Sequence, residues 1–164
     1  MNAGQVIDIF RGTGALLEGH FEYASGRHGS QFIQASRVLQ HPNYTEKLCK
    51  AIAELWKSEV IEMVVGPATG GIILSYETAR HLECRSTFTE KDGKGGMALM
   101  RGFRIEPKTR VLVVEDIVTT GGSVKKTIEH LRQREATIVG VSVLIDRSGG
   151  EAKFDCPYKP LAYL

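Results

Sequence analysis

The sequence predicts an α/β fold with a mainly parallel central sheet flanked by helices, and three observations predict it. Strand-like runs (IEMVVG, RVLVVED, TIVGVSVLID) alternate with helix-like segments (GGIILSYETARHL, SVKKTIEHLRQR). That alternation implies crossover connections and a sheet covered on both faces. Three strand ends then run into small and polar residues, GPATGG, EDIVTTGGS and IDRSGG. In open sheets of this kind ligands bind beyond the carboxyl ends of the strands, so the three segments mark one candidate site.

The elements follow in order. Val6, Ile7, Phe10 and Leu16 are spaced to line one face of a helix broken near Gly12 and Gly14. HFEYAS and SQFIQAS flank GRHG, which predicts two short strands around a turn. These first forty residues read as a small subregion within a single domain spanning 1–164. In HPNYTEKLCKAIAELWKSEV, Leu48, Ile52, Leu55 and Trp56 recur at helical spacing, and Pro42 suits a first turn. After IEMVVG and its helix, RSTFTE reads as a strand leading to a glycine-rich loop, KDGKGG, and FRIE as a short strand before Pro107. Val111 to Val114 read as a buried strand that Glu115 and Asp116 end.

Composition narrows the function classes. A chain of 164 residues is long enough for one real core and too short for two ordinary domains. Lys and Arg total 21 against 19 Asp and Glu, a balance that argues against bulk electrostatic binding to nucleic acid or membrane. Cys49, Cys84 and Cys156 are odd in number and lack C-x-x-C spacing, as expected of reduced thiols in the cytoplasm. MNAGQVIDIFRGTG has no charged head followed by an apolar core, so no secretion signal is predicted, and IVGVSVLI is too short to span a bilayer. His20, His28, His41, His81 and His130 show no paired ligand spacing, which argues against a protein-bound zinc site.

Residues 111–124, VLVVEDIVTTGGSV, carry the sharpest chemical signal. Thr119, Thr120, Gly121, Gly122 and Ser123 read as a loop feeding a helix, where small residues expose backbone N–H groups and hydroxyls add donors for an anion. The plain alternative is a strand-to-helix turn with Ser123 as helix cap. Neither a Walker loop nor a dinucleotide fingerprint is present. Two acids at the end of a buried strand are costly unless they meet cations or donors. A ribose 5-phosphate satisfies the whole string: Glu115 and Asp116 take sugar hydroxyls or a metal ion, and the loop takes the phosphate.

EDIVTTGGS closely resembles the phosphoribosyl-diphosphate motif of type I phosphoribosyltransferases. FEYASGRHGSQFIQ, GPATGGIILSYETARHL, FTEKDGKGGMALMRGF and LIDRSGG occur in the order and approximate spacing of orotate phosphoribosyltransferases. The resemblance implies transfer of ribose 5-phosphate from phosphoribosyl diphosphate to orotate, with Mg²⁺ held mainly through the substrate. It implies that Glu115, Asp116, Ile117, Val118, Thr119, Thr120, Gly121, Gly122 and Ser123 hold ribose and 5-phosphate, and that Thr69 and Gly70 grip pyrophosphate. Thr119 and Arg147 correspond to orotate contacts, Phe32 and Ile33 to the lining of a base pocket within a hood formed by residues 1–40. Lys91 and Lys94 correspond to lysines of a mobile catalytic loop that reaches a neighbouring subunit, which implies a homodimer. Asp116 is a candidate general base, with holding the sugar as the alternative.

The chain also departs from the family pattern. Many members have lysine at the positions of Ala24 and Gly70, arginine at Glu90, and a histidine after the second loop lysine, and many continue beyond Leu164. Arg101 and Arg104 are the nearest replacements for the missing cations. Two other readings stay open on these residues: a phosphoribosyltransferase for another base, and a non-catalytic phosphoribosyl-diphosphate sensor.

Overall fold

The computed structural model describes residues 1–23 and 26–164, so Ala24 lies outside the described residues. The chain runs α1 (Ala3–Gly12), β1 (Leu16–Glu22), β2 (His28–Ile33), α2 (Ser36–Leu39), α3 (Pro42–Leu55), β3 (Met63–Pro67), α4 (Gly70–Leu82), β4 (Arg85–Lys91), β5 (Met97–Leu99), β6 (Arg110–Val118), α5 (Gly122–Gln133), β7 (Thr137–Asp146) and β8 (Tyr158–Tyr163). Six strands form one sheet in the order β5-β4-β3-β6-β7-β8, and β1 and β2 pair separately. All neighbours in the large sheet are parallel except β4 and β5.

The sheet alternation sorts side chains into two cores. Val64, Leu112, Val114 and Leu144 face one layer with Leu74 of α4, α1 and α3. Met63, Val65, Val111, Val113, Val141 and Val143 face the other, with Val124, Ile128 and Leu131 of α5. Hence α4 and α5 leave neighbouring strands β3 and β6 toward opposite faces. That divergence makes the carboxyl ends of β3 and β6 the point where the strand order reverses, the position expected for a ligand.

Several boundaries differ from the sequence reading for identifiable reasons. Asn2 and Gln5 form a reciprocal capping box on α1, and Val6 and Phe10 are buried. The helix stops at Gly12, so Leu16 belongs to β1 instead. In α3 the buried arc runs through Thr45, Leu48, Cys49, Ile52 and Ala53, which leaves Leu55 at its margin and 39% exposed. FRIE forms no strand: Arg101 and Gly102 take φ of 59° and 76° and turn the chain away, and the edge pairing falls to β5 instead. Phe103 then packs edge-on against Phe88 at 5.3 Å. Strand β6 does not end at Glu115 but continues to Val118.

The edge strand β8 is held by Trp56. Its Nε1 donates to Ser142 Oγ at 3.0 Å, Ser142 donates to the Lys159 carbonyl, and the Lys159 ammonium lies 4.1 Å from the indole centroid. Trp56→Phe removes the donor and leaves unfilled volume at a fully buried position. It is expected to lower unfolding stability by about 1–3 kcal/mol, measurable by urea titration.

Candidate active site

The segment predicted to hold an anion folds into a single recess. Glu115, Ile117, Val118 and the run from Thr119 to Val124 line a cavity of about 80 Å³ at the start of α5. Gly121 is the N-cap residue, with φ of 78° and no side chain of its own to cap the helix, and Gly122 N donates to Thr120 Oγ1 at 3.3 Å. Ser123 is the second residue of α5 and not its cap, so the alternative reading of a Ser-capped turn does not hold. The amino end of this twelve-residue helix directs its remaining free backbone N–H groups and the positive end of the helix dipole at the recess.

The two acids part company because successive strand side chains point to opposite faces. Glu115 lines the recess on the α5 side. Asp116 turns to the α4 side, where a Cβ on Gly70 would stand 2.1 Å from its Oδ2. No side chain fits at position 70 with Asp116 in this place, which accounts physically for glycine there. The structure therefore brings Gly70, the start of α4, against Asp116. Thr69 is the exposed N-cap residue of α4, and the Ala68–Thr69 peptide is cis.

Each carboxylate accepts from the next backbone N–H, Asp116 N to Glu115 Oε1 at 3.0 Å and Ile117 N to Asp116 Oδ1 at 2.7 Å. Among the described residues neither acid has a cationic partner. Burial, followed by repulsion from Asp116, pushes the Glu115 carboxyl up to about 9. The acid pair therefore lacks a cationic side-chain partner, and a hydroxyl-rich ligand or a cation would supply what it lacks.

Arg147 follows the end of β7, and its backbone N–H donates to Val118 O at 2.9 Å, which seats it beside Thr119. It does not pair with Asp146. That buried carboxylate instead accepts from Tyr158 Oη at 2.9 Å and from Ser148 N at 2.7 Å. The Arg147 Nη2 donates to Tyr23 Oη at 3.3 Å, and its Cζ lies 5.5 Å from the Tyr23 ring centroid. Tyr23, in the segment between β1 and β2, was not singled out by the sequence. The usable signal was its type: a half-buried tyrosine needs a polar partner for its hydroxyl.

The other predicted residues are distributed unevenly. Phe32 stands 5.9 Å from Phe21 on the β1–β2 sheet, while Ile33 packs against the main core. Lys91 ends β4 and Lys94 sits in the β4–β5 turn, both exposed. Asp92 Oδ1 shapes that turn by accepting from Lys94 N at 2.7 Å and Gly96 N at 3.0 Å. Within one chain neither lysine lines the Glu115–Ser123 recess, and Lys94 borders a different depression, against Lys126 and His130 of α5. Arg101 is engaged by Glu90 through two bonds of 2.7 and 2.9 Å.

Folding also brings together groups whose spacing showed no pairing. His20 and His28 approach to 2.9 Å across the β1–β2 sheet. Glu46, Glu77 and His81 cluster between α3 and α4, with the Arg80 guanidinium bonded to both carboxylates.

Residues 34–160 match the phosphoribosyl transferase domain. An orotate phosphoribosyltransferase of Desulforamulus reducens is 50% identical over 152 residues, 93% of this chain and 79% of the relative. An orotate phosphoribosyltransferase of Thermus thermophilus is 46% identical over 97% of this chain and 87% of its own length. The crystal structure of orotate phosphoribosyltransferase from Aeropyrum pernix superposes with a TM-score of 0.80 at 28% identity, covering 97% of this chain and 93% of that one.

Proposed function

This chain belongs to the phosphoribosyltransferase family, among its orotate phosphoribosyltransferases, and from that premise we propose how its residues divide the work. The reaction transfers ribose 5-phosphate from phosphoribosyl diphosphate to orotate, giving orotidine 5′-phosphate and pyrophosphate, a step of pyrimidine biosynthesis. The bond from the anomeric carbon to the pyrophosphate oxygen breaks with its electron pair leaving on oxygen, and an orotate ring nitrogen forms the new bond while giving up its N–H proton to a base, Asp116 or solvent. The anomeric carbon becomes cation-like as the leaving group gains negative charge.

In this reading the α5 amino end and Thr119–Ser123 seat the 5-phosphate, while Glu115 and Asp116 accept from the ribose hydroxyls and stand near the positive anomeric carbon. Thr69 and Gly70 border the leaving pyrophosphate, and Lys91 and Lys94 neutralise its charge. Arg147, with Thr119 and Phe32, receives orotate under the hood of residues 1–40. The observation that carries the reading is the split of the acid pair. One strand end addresses both the anion recess, through Glu115, and the start of α4, through Asp116.

The donor set suits Mg²⁺ carried by the substrate. Among the described residues no third ligating side chain joins Glu115 and Asp116, so the chain offers no cage, and one or two carboxylates plus substrate phosphates are how this ion is commonly held. When bound it would supply charge neutralisation on the diphosphate. A homodimer follows from reading the β4–β5 hairpin as the family's mobile loop: Lys91 and Lys94 are exposed, and Lys94 borders a depression apart from the recess, which suits a hairpin that reaches a second subunit. A cytoplasmic location rests on three free thiols, and among the described residues no helix is long and apolar enough to cross a membrane.

The test is an absorbance assay of orotate. Orotate is expected to disappear only when phosphoribosyl diphosphate and Mg²⁺ are both present. Binding of the sugar donor without consumption of orotate would instead identify a sensor. Arg147→Ala is expected to raise the KM for orotate by at least about ten-fold, the loss of one charge-assisted bond. A variant that kept full orotate affinity would point to a different base.

A further inference from the structure

We propose that Tyr23 is a positioning residue for base recognition, setting the Arg147 guanidinium in one orientation while leaving its charge free for an acidic base. The inference rests on the reading of Arg147 as the partner of orotate. Among the described residues the Tyr23 hydroxyl accepts the one hydrogen bond that the Arg147 side chain donates, and the Tyr23 ring is its only aromatic neighbour. Asp146, the adjacent carboxylate, is occupied by Tyr158 and Ser148 and does not restrain it.

Tyr23 is itself held. Its hydroxyl donates to the Gln31 carbonyl at 2.5 Å, which leaves the oxygen lone pairs for Arg147. Its ring crosses the backbone at Gly29, where a Cβ would fall 2.0 Å from Oη and 2.5 Å from Cζ. Gln31 precedes Phe32, so this one tyrosine ties the β2 strand of the hood to the residue after β7.

The chemistry distinguishes Tyr23 from an ordinary ion-pair partner. A carboxylate in its place would orient Arg147 and also neutralise it. A neutral hydroxyl spends one N–H of five and leaves the rest of the planar fork, with its full charge, for a bidentate carboxylate. The tyrosine thus favours a base that carries a negative group.

Steady-state kinetics on the full chain test this with Tyr23→Phe, Tyr23→Ala, Arg147→Ala and the Tyr23→Phe/Arg147→Ala pair. Tyr23→Phe keeps the ring and is expected to raise the KM for orotate by about three- to ten-fold, the loss of one hydrogen bond from Arg147 to a neutral acceptor. Its kcat and its KM for phosphoribosyl diphosphate are expected to stay within about two-fold of the parent. Tyr23→Ala is expected to raise the orotate KM further, and Tyr23→Phe to add nothing once Arg147 is alanine. If Tyr23→Ala fails to fold, Tyr23→Phe and the double variant decide. An orotate effect for Arg147→Ala with none for Tyr23→Phe overturns the positioning role alone. Equal rises in both KM values, or a Tyr23→Phe effect that persists without Arg147, overturn it as well by showing a structural role. No orotate effect for Arg147→Ala removes the base-site reading and this inference together.

Discussion

Replacing Lys94 with alanine is expected to lower kcat by about 10²–10³-fold, the usual cost of removing one charge stabiliser of a transition state. The KM for orotate is expected to change little, since in the proposed reading the lysine addresses the leaving group and not the base. The fold gives a clean background for this test. Lys94 is exposed and has no ion pair among the described residues, and the turn that carries it is shaped by backbone bonds to Asp92 rather than by the lysine side chain. The melting temperature is therefore expected to match the parent. Lys91 ends β4 and pairs with Met97, so its reach is more constrained and Lys91→Ala is expected to cost less. A complementation experiment adds the subunit question. If the hairpin acts across a two-fold dimer, mixing Lys94→Ala chains with Asp116→Asn chains restores roughly a quarter of parental activity, because half of the sites in each mixed dimer are intact. A Lys94→Ala enzyme within two-fold of the parent would remove the lysine from the mechanism. Mixed chains with no recovery would confine each site to one subunit.

The legible and illegible parts of this chain separate along a physical line. Long apolar runs between glycine-rich ends announced β3, β6 and β7, and the recess at the start of α5 was visible because Thr119 to Ser123 is contiguous in sequence. Features that depend on contact between distant segments were not visible. Strand β8 carries Pro160, which weakens any strand signal and is tolerated because β8 lies at the sheet edge, with no strand on its far side among the described residues. FRIE has strand-like residues, yet two left-handed residues just before it decide its path. The acid pair reads as one cluster along the chain, but strand pleating sends Glu115 and Asp116 to opposite faces. Tyr23 and Arg147 are 124 positions apart, and only folding makes them neighbours. Glu90 and Arg101, noted separately as a lost and a spare charge, answer each other across the β4–β5 hairpin.

Glu115→Gln is expected to weaken catalysis and strengthen the free protein, with the second effect growing as pH rises. The folded carboxyl titrates near 9, raised first by burial and then by Asp116, whereas in the unfolded chain it returns to an ordinary carboxylate value. Between those two values the folded state holds a proton that the unfolded state has lost, so the stability of the parent falls as pH increases through that window. Below the unfolded value both states are protonated and the full stability is present. Glutamine keeps the shape and has no proton to lose, so the melting temperature of the variant is expected to change less from pH 5 to pH 9 than that of the parent. Its advantage is expected to be larger at pH 9 than at pH 6. Substrate tells the opposite story. Ribose hydroxyls and a substrate-borne cation favour the ionised carboxylate, so binding of phosphoribosyl diphosphate at pH 7 is expected to release a proton. Calorimetry in buffers of different ionisation enthalpy reads that release directly. In Glu115→Gln the release disappears and the KM for phosphoribosyl diphosphate rises by roughly 10- to 100-fold, the range for a hydrogen bond to a charged group. A variant whose stability follows pH as the parent's does would show that Glu115 is not the group that titrates. Undiminished affinity for the sugar donor would separate Glu115 from the ribose.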